Sequence, residues 1–270
     1  MLNLPRGMRP STLDERREFY AEELDVSSLA DWIGCRKGTM KFAMILGRHT
    51  GIVAPAHAAN KDDVVIIDDW SSARDIRAYA RDYLPEGLYY DRNRYVDVSR
   101  CVACARRRRE CYACNNWTGQ QLAFDLDPEN VDCPVHGNIG EKMQRGRGLS
   151  FCMLEFKRIR RQAFELSREL KAEYSGVRTV FSGRGFHVVV DDEDAYSLNR
   201  NGRSAIARKY GRRYAIDEWV TTGGSRLMRL PGSLNAIVSR ICMEIKRGRD
   251  LLKFDPRTSV LAMPDFVRLL

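Results

Sequence analysis

The sequence predicts a mixed α/β or α+β domain that contains a small cysteine-rich insertion. Short apolar runs typical of strands are spread along the whole chain, and amphipathic helical patterns separate them. Four cysteines within residues 101–114 interrupt this pattern. The 270 residues, 44% of them hydrophobic and 30% charged, suffice for a sizeable core. We therefore expect a single domain over residues 1–270, with the insertion at 99–116.

The N-terminal half predicts two helices and several strands. Residues 11–24 have the pattern of a helix with Ser11 or Thr12 as its N-cap. Ser72, followed three residues later by Asp75, forms a capping box at the start of a second helix over 71–84. Short apolar runs predict strands at 41–46, 63–68, 86–90, 94–98 and 121–127, the last ended by Pro128.

The C-terminal half begins with an irregular, glycine-containing stretch at 128–150, which we expect to be a mobile loop. A long helix should follow over 151–174, and its apolar stripe consists of Leu154, Ile159, Leu166 and Leu170. Glycine-flanked runs at 177–181 and 185–190 predict two strands, and 202–214 predicts a short basic helix. Further strands are expected at 216–221, 226–230 and 236–245.

The charge balance and the termini restrict the class of protein. Lys and Arg total 45 against 36 acidic residues, a net charge of +9, which favours a polyanionic partner such as nucleic acid or else marks an inert basic surface. No apolar run is long enough to span a bilayer, and the N-terminus has no apolar signal segment. We therefore expect an intracellular, cytoplasmic protein without a membrane partner, whose eight cysteines are thiols or metal ligands.

The four clustered cysteines predict a structural zinc site. Cys101, Cys104, Cys111 and Cys114 form two C-x2-C pairs, and four thiolates can close a tetrahedral Zn²⁺ site. Unrelated thiols and an iron–sulfur cluster are the alternatives. The spacer contains four consecutive arginines, 106–109, which either contact phosphate or form a solvated charge run.

A second group of potential ligands lies downstream. Cys133 and His136 form a C-x2-H half-site, Cys152 is the candidate third ligand, and Glu155 follows it at C-x2-E spacing. The alternative interpretation is packed thiols beside a surface histidine.

Acidic and basic residues on predicted strands indicate phosphate chemistry. Asp125 and Asp127 project from the same face of one strand, where two carboxylates suit Mg²⁺ or Mn²⁺, although many D-x-D pairs are plain strand ends. Asp217 lies on another predicted strand, which makes three acids. Three acids near phosphate-binding cations are typical of two-metal phosphoryl transfer. The other candidates are Ser182, Arg184 and His187 around a glycine bend, and Arg226 and Arg229.

These motifs together resemble the archaeo-eukaryotic primase superfamily, and within it the archaeal-type small catalytic subunit. The matching segments are "LAFDLD", "FSGRGFHVVV" and "IDEWVTTGGSRLMRLPGSL", in the order the family has them. "EGLYYDRNRY", "NNWTGQQ", "FDPRTSV" and a weaker "GRHTG" extend the resemblance, which is good over residues 80–265 and loose before them. The family's zinc knuckle follows the first motif, and Cys133, His136 and Cys152 resemble its remnant.

The resemblance implies a fold and a set of roles. The fold would be a primase-polymerase core with an RRM-like sheet. Asp125, Asp127 and Asp217 would hold two divalent ions, Mg²⁺ or Mn²⁺. Ser182, Arg184 and His187 would bind the nucleotide triphosphate together with the third-motif residues Arg226, Arg229 and Asn235, the last of which stands where the family usually has His.

The function expected from the resemblance is template-dependent synthesis of a primer on single-stranded DNA from nucleoside triphosphates. A gap-filling repair polymerase of the same superfamily and a non-catalytic zinc-containing single-strand-binding protein are the alternatives. A primase large subunit or a helicase remains open as a further partner. The short stretch between His187 and Asp217 lacks room for the helical subdomain of chromosomal small subunits, and such compact cores are common in plasmid and viral relatives.

Overall fold

The computed structural model of the protein describes residues 2–34, 38–101, 111, 114–146 and 148–268. Within these ranges helices and short strands alternate along the chain. The α-helices are α1 (Leu13–Glu18), α2 (Val26–Ile33), α3 (Ala73–Tyr83), α4 (Ile139–Gln144), α5 (Met153–Leu170), α6 (Glu193–Tyr196), α7 (Arg200–Gly211), α8 (Glu218–Thr221), α9 (Gly248–Lys253) and α10 (Asp265–Arg268). The strands are β1 (Phe42–Ile45), β2 (Val64–Ile67), β3 (Gly87–Asp91), β4 (Asn93–Tyr95), β5 (Trp117–Gln120), β6 (Leu122–Leu126), β7 (Val177–Phe181), β8 (Phe186–Val190), β9 (Leu227–Arg229), β10 (Leu234–Asn235), β11 (Arg240–Ile241) and β12 (Met243–Glu244).

The first sheet has the strand order β2-β1-β3-β9, with every pair antiparallel. The N-terminal helices border it, and their starts follow the predicted chemistry. Thr12 caps α1 in a capping box with Glu15, and Ser72 with Asp75 does the same for α3. Both predicted helices are confirmed, the first as α1 continued by a π-helical turn over Phe19–Glu23. Strands β1, β2 and β9 lie within the predicted apolar runs, whereas β3 extends one residue beyond its run, to Asp91.

The second sheet has the order β12-β7-β8-β6 and is also antiparallel. Long helix α5 packs against β6, β7 and β8. The ring of Phe156 on this helix packs among those of Phe181, Phe186 and Phe254. The ring centres of Phe181 and Phe254 are 4.7 Å apart. The mixed α/β class predicted from the sequence is confirmed.

Alternation along the strands gives the second sheet a core on each face. Leu122, Phe124 and Leu126 pack in the cluster under α5, whereas Ala123 belongs to the cluster shared with the first sheet. Asp125 is two positions after Ala123 in β6, so both side chains project from the same face of the strand. Its carboxylate therefore projects to the side where the two sheets meet.

A two-stranded ribbon, β4-β5, joins the sheets to the cysteine-rich stretch. The chain leaves it after Tyr95 and returns at Trp117, and these two residues pair in the ribbon. None of the helices in the described ranges has both the length and the apolar composition needed to cross a membrane.

Several segments differ from the predictions. Residues 218–221 of the predicted strand 216–221 form helix α8, and residues 139–144 of the predicted loop form helix α4. Leu154, placed in the buried stripe of the long helix, is 40% exposed. The expected strand at 236–245 shrinks to β11 and β12, and helix α2 has no counterpart in the prediction.

Candidate active site

Strand pairing places the first acid next to a histidine. Asp125 on β6 lies directly opposite His187 on β8, and Asp125 Oδ1 is 3.6 Å from His187 Nε2. The pKa of His187 is lowered to about 4: burial lowers it most, the charge of Asp127 acts in the opposite direction, and the cations of Arg229 and Arg92 add to the lowering. The imidazole is therefore neutral at pH 7, and this contact leaves the charge of Asp125 uncompensated.

Asp217 lies close enough to Asp125 for its charge to act on that carboxyl group. It lies at the start of helix α8 and not on the predicted strand. It is the N-cap of α8, and its Oδ1 accepts a hydrogen bond of 2.8 Å from the backbone N–H of Trp219. Its own backbone N–H donates to the carbonyl of Asp125 at 2.8 Å. The cap fixes the carboxylate while the backbone bond joins the helix start to the end of β6.

The acids form a negative cluster with an unsatisfied oxygen. Asp125 Oδ1 is buried and has no hydrogen-bond partner among the described residues. Burial raises the pKa of Asp125 well above its usual value, and the charges of Asp127, Glu129 and Asp217 raise it further. A divalent cation would bind this buried oxygen and offset the negative charges around it. The residues present therefore fit Mg²⁺ or Mn²⁺.

Arg184 places a buried cation in direct contact with two of these acids, Asp127 and Glu129. Its Nη2 lies 3.0 Å from Asp127 Oδ2 and 2.7 Å from Glu129 Oε1, and its Nη1 donates to the carbonyl of Leu149 at 2.9 Å. Burial acts to lower the pKa of Arg184, but the carboxylates of Asp127 and Glu129 raise it by more. The guanidinium is a permanent charge at the mouth of the acidic cluster.

Glu129 is a site residue that the sequence interpretation missed. Burial and the charge of Asp127 raise its pKa to about 7, while Arg184 acts in the opposite direction. Its second oxygen, Oε2, is buried without a hydrogen-bond partner in the described part of the chain. No pattern links Glu129 to Arg184, which lies 55 residues away.

The glycine bend is a tight turn between β7 and β8. The hydroxyl of Ser182 accepts from the N–H of Gly185 at 3.0 Å, and Ser182 N–H donates to the Gly185 carbonyl at 3.0 Å. A side chain at position 185 would overlap Asp127 and the Leu126 carbonyl, so only glycine allows the bend to approach β6. Asn235 Nδ2 donates to the Ser182 carbonyl at 3.0 Å, which ties the third motif to this bend.

Arg229 contributes a second buried cation. It lies opposite Tyr89 in the β3–β9 pair, and its Nη2 donates to the Tyr89 hydroxyl at 2.8 Å. The guanidinium carbon also lies 4.8 Å from the Tyr89 ring centre. The charge of Arg229 lowers the pKa of His187, so the two side chains share one electrostatic environment.

Arg226 is the predicted nucleotide-binding residue that the structure places apart from the acids. Its Nη1 donates to Cys111 Sγ at 3.0 Å, and the side chain lines a separate cavity. Arg226 and Arg229 are three positions apart on extended chain, so they project to opposite faces.

A candidate metal centre lies beside the acids. The ligand atoms of Cys133, His136, Cys152 and Glu155 all lie within 4.8 Å of one another. The two sulfurs are 4.0 Å apart, and His136 Nδ1 is 3.2 Å from Glu155 Oε1. Two sulfurs, one imidazole and one carboxylate are ligands that Zn²⁺ accepts in tetrahedral sites, so the set fits that ion. The second group of ligands proposed from the sequence is thus brought together.

A buried lysine accompanies this cluster. Lys142 is 1% exposed, and its Nζ lies 2.8 Å from Glu155 Oε1 and 2.6 Å from the carbonyl of Val131. With two thiolates, one carboxylate and a divalent ion the cluster would carry one negative charge, which the ammonium offsets. Lys142 was not singled out from the sequence, because a lysine in a glycine-rich stretch resembles any surface lysine.

The four-cysteine site involves Cys104, which lies outside the described residues, as do the arginines at 106–109. Of its other members, Cys111 Sγ accepts from Arg226, and Cys101 Sγ accepts from Asn116 Nδ2 at 3.3 Å. The zinc site at Cys101, Cys104, Cys111 and Cys114 stays a prediction.

Comparison with known proteins gives the family. The chain is 50% identical over 264 residues to the "Uncharacterized DNA primase small subunit-like protein" of Archaeoglobus fulgidus, which covers 97% of this chain and 93% of that protein. It is 27% identical over 199 residues to the DNA primase small subunit of Pyrococcus abyssi, which covers 74% of this chain and 49% of that one. No family model matches the chain.

The chain belongs to the DNA primase small subunit-like proteins of the archaeo-eukaryotic primase superfamily. It spans about half the length of the Pyrococcus small subunit that it matches. Among solved structures, the polymerase domain of Mycobacterium tuberculosis Ligase D in complex with DNA aligns with a TM-score of 0.47 at 14% identity, over 94% of this chain and 85% of that one.

Proposed function

We propose that the protein is a primase-polymerase that joins nucleotides on a single-stranded DNA template. The observation that supports this most directly is the buried Oδ1 of Asp125, which has no hydrogen-bond partner among the described residues and lies among three further acids, two of them in contact with Arg184. Negative charge of this density suits divalent cations, and the adjacent arginine suits the phosphates of a nucleotide. Membership in the primase small subunit-like family agrees with this combination.

Asp125, Asp127 and Asp217 would hold two Mg²⁺ or Mn²⁺ ions. When bound, such ions lower the pKa of an attacking hydroxyl and neutralise charge on a leaving pyrophosphate. In the reaction, the 3′-hydroxyl of the growing strand would lose its proton to solvent water while its oxygen forms a bond to the α-phosphorus. The bond from that phosphorus to the oxygen that bridges to the β-phosphate would break, and pyrophosphate would leave. The cap at Asp217 and the β6–β8 pairing pre-position the carboxylates, which reduces the reorganisation that cation binding requires.

Arg184, His187 and Ser182 would bind the triphosphate. Arg184 is held by Asp127 and Glu129 at the edge of the acidic cluster, so its remaining N–H groups can face a phosphate without a large movement. A neutral His187 can donate one hydrogen bond without adding charge. Arg229, buttressed by Tyr89, would add positive potential behind them.

We further propose that residues 1–270 form one catalytic domain, with the cysteine-rich segment 99–116 as an insertion. The cluster of Cys133, His136, Cys152 and Glu155 would hold a structural Zn²⁺, since four protein ligands leave no open position for chemistry. Lys142 connects it to the loop after the catalytic strand, because Nζ also donates to the carbonyls of Pro128 and Glu129, both at 3.3 Å. Zinc would thereby stabilise the backbone around Glu129.

The test is incorporation of labelled nucleotides on unprimed single-stranded DNA in Mg²⁺ or Mn²⁺, with ribo- and deoxynucleotides supplied separately. Products of several nucleotides from the parent protein, and none from Asp125→Asn, are the expected result. Extension restricted to primed gaps would instead identify a repair polymerase. Tight binding of the strand with no incorporation under any condition would identify a non-catalytic binding protein and refute the proposal.

A further inference from the structure

A cavity lies outside the acidic site. Its volume is about 730 Å³, within the range of about 300–1,000 Å³ that sites for small organic ligands occupy. It opens between the β4–β5 ribbon, the start of α7 and the end of α8. Its lining includes Trp117, Gln120, Leu198, Arg200, Trp219 and Arg226.

Trp219 is an aromatic residue in the lining of this cavity. The side chain is 64% exposed, the largest exposed aromatic side chain in the described part of the chain. A side chain at position 224 would overlap its indole ring, so the indole lies against the bare Cα of Gly224. One face is thus supported by backbone and the other is open, which is the arrangement of a stacking platform for a planar ring.

The charges around the cavity favour an anionic ligand. Arg200 and Arg226 line it, and none of its described lining residues is acidic. Arg226 is fixed by the 3.0 Å bond to Cys111, whereas Arg200 lies exposed at the first position of α7. An aromatic face together with guanidinium groups suits a nucleobase that carries a phosphate.

The cavity lies next to the acids along the chain. Asp217 caps α8, and the cavity-lining residues Thr222 and Gly223 follow the end of that helix. Four helical residues span about 6 Å at 1.5 Å per residue. A base in the cavity would therefore lie roughly one helical turn from the third acid, close enough to belong to a strand that passes through the site.

We propose that this cavity binds one unpaired nucleotide of single-stranded DNA, with its base stacked on Trp219 and its phosphate against Arg200. The inference rests on the proposed function for the identity of the strand, but the binding step needs neither the metal ions nor the catalytic acids. A free mononucleotide has the same chemistry and is separated from the strand by the experiment below.

The experiment measures the Kd of a fluorescein-labelled thymidine 12-mer by anisotropy, in EDTA, for the full chain and its variants. Trp219→Ala should weaken binding by about tenfold, because stacking of one base is worth that much or more. Trp219→Phe should restore most of the affinity, because it keeps a ring. Trp219 is exposed to solvent, and matching melting temperatures will confirm that both variants fold.

The phosphate contact is tested by comparing two arginine variants on helix α7, one inside the cavity and one outside it. Arg200→Ala should weaken binding and reduce the slope of log Kd against log salt by about 1, as loss of one phosphate contact does. Arg208→Ala removes the same charge from an exposed position of α7 outside the cavity, and it should leave that slope closer to the parent value. Equal effects of the two variants would overturn the phosphate contact.

Two results would overturn the proposal. One is a Trp219→Ala variant that binds the 12-mer as tightly as the parent. The other is displacement of the 12-mer by thymidine monophosphate at concentrations near the Kd of the 12-mer, which would identify a free-nucleotide site. Because these measurements are made without divalent ions, loss of Trp219-dependent binding and absence of nucleotide incorporation are separate outcomes, and each refutes its own proposal.

Discussion

Asp125 and His187 lie directly opposite each other on neighbouring antiparallel strands, with 3.6 Å between Oδ1 and Nε2. Because the pKa of His187 falls to about 4, its ring is neutral at pH 7 and the pair is not an ion pair. The strand pairing thus holds the Asp125 carboxyl group in place beside a ring that does not neutralise its charge when it ionises. In the absence of metal, this arrangement destabilises the fold and makes the site receptive to cations.

Asp125→Asn should therefore abolish nucleotide incorporation and, in EDTA, stabilise the protein. The pKa of Asp125 is raised in the folded state, so the ionised carboxylate opposes folding increasingly as pH rises above about 4. Asn has the same shape without the charge, and each unit of raised pKa is worth about 1.4 kcal/mol. Melting temperatures of parent and variant in EDTA between pH 4 and pH 8 should diverge as pH rises.

Mg²⁺ provides the control for that comparison. It should raise the melting temperature of the parent more than that of Asp125→Asn, because a ligand that binds only the folded state stabilises it. A variant that incorporates nucleotides at the parental rate would remove Asp125 from the catalytic group.

Arg184→Ala should raise the KM for nucleotide by about 10- to 100-fold, the loss expected for a charge-assisted hydrogen bond of about 1.5–3 kcal/mol. Arg184→Lys should recover part of this loss, since it keeps the charge but not the forked geometry. Steady-state kinetics on a fixed primed template will measure both. Arg168→Ala, an exposed arginine on α5, is the control for lost charge, and an unchanged KM in Arg184→Ala would exclude this residue from the nucleotide site.

Gly185→Ala should lower the activity by a steric effect, because it changes neither a charge nor a hydrogen-bonding side chain. The added methyl group would overlap Asp127 and the Leu126 carbonyl, so the bend must move away from β6 at a cost of about 1–3 kcal/mol. Activity should fall much further than stability, because the bend carries Ser182 and Arg184. Gly202→Ala on α7 is a matched control, since its new methyl group meets only side-chain atoms, the end of Leu198 at 3.3 Å and Asn199 Oδ1 at 3.6 Å, and alanine favours a helix. Equal activity of the two variants would contradict the close approach described for the bend.

Local patterns predicted most of the elements, and the errors have physical causes. Ile, Trp, Val and Thr in 216–221 favour a strand, but Asp217 caps a helix there, and its backbone bond to Asp125 fixes the turn. Helix α4 has a capping box of Asn138 and Glu141, which glycines on either side of it obscured. In both cases a capping interaction outweighs the propensity of the flanking residues.

The candidate site was predictable where motifs carry it and not where tertiary contacts build it. Asp125 and His187 lie together because two adjacent strands of one sheet supply them, and Arg184 lies in the bend that leads into the second of these strands. Glu129 is recruited by Arg184, a contact between distant positions that no spacing reveals. Arg226 shares a motif with Arg229, yet strand alternation sends it to the other face and into the tryptophan-lined cavity.

The final prediction separates the two candidate zinc sites. Cys133→Ser with Cys152→Ser should remove one equivalent of bound zinc and lower the melting temperature, because the cluster joins the loop after β6 to the start of α5. A loss of roughly 2 kcal/mol corresponds to ~4–8 °C for a chain of this size. Cys101→Ser with Cys104→Ser tests the upstream site in the same metal analysis. Glu155→Gln should weaken zinc retention under a chelator without changing the thiols, and a parent protein that contains no zinc would refute both sites.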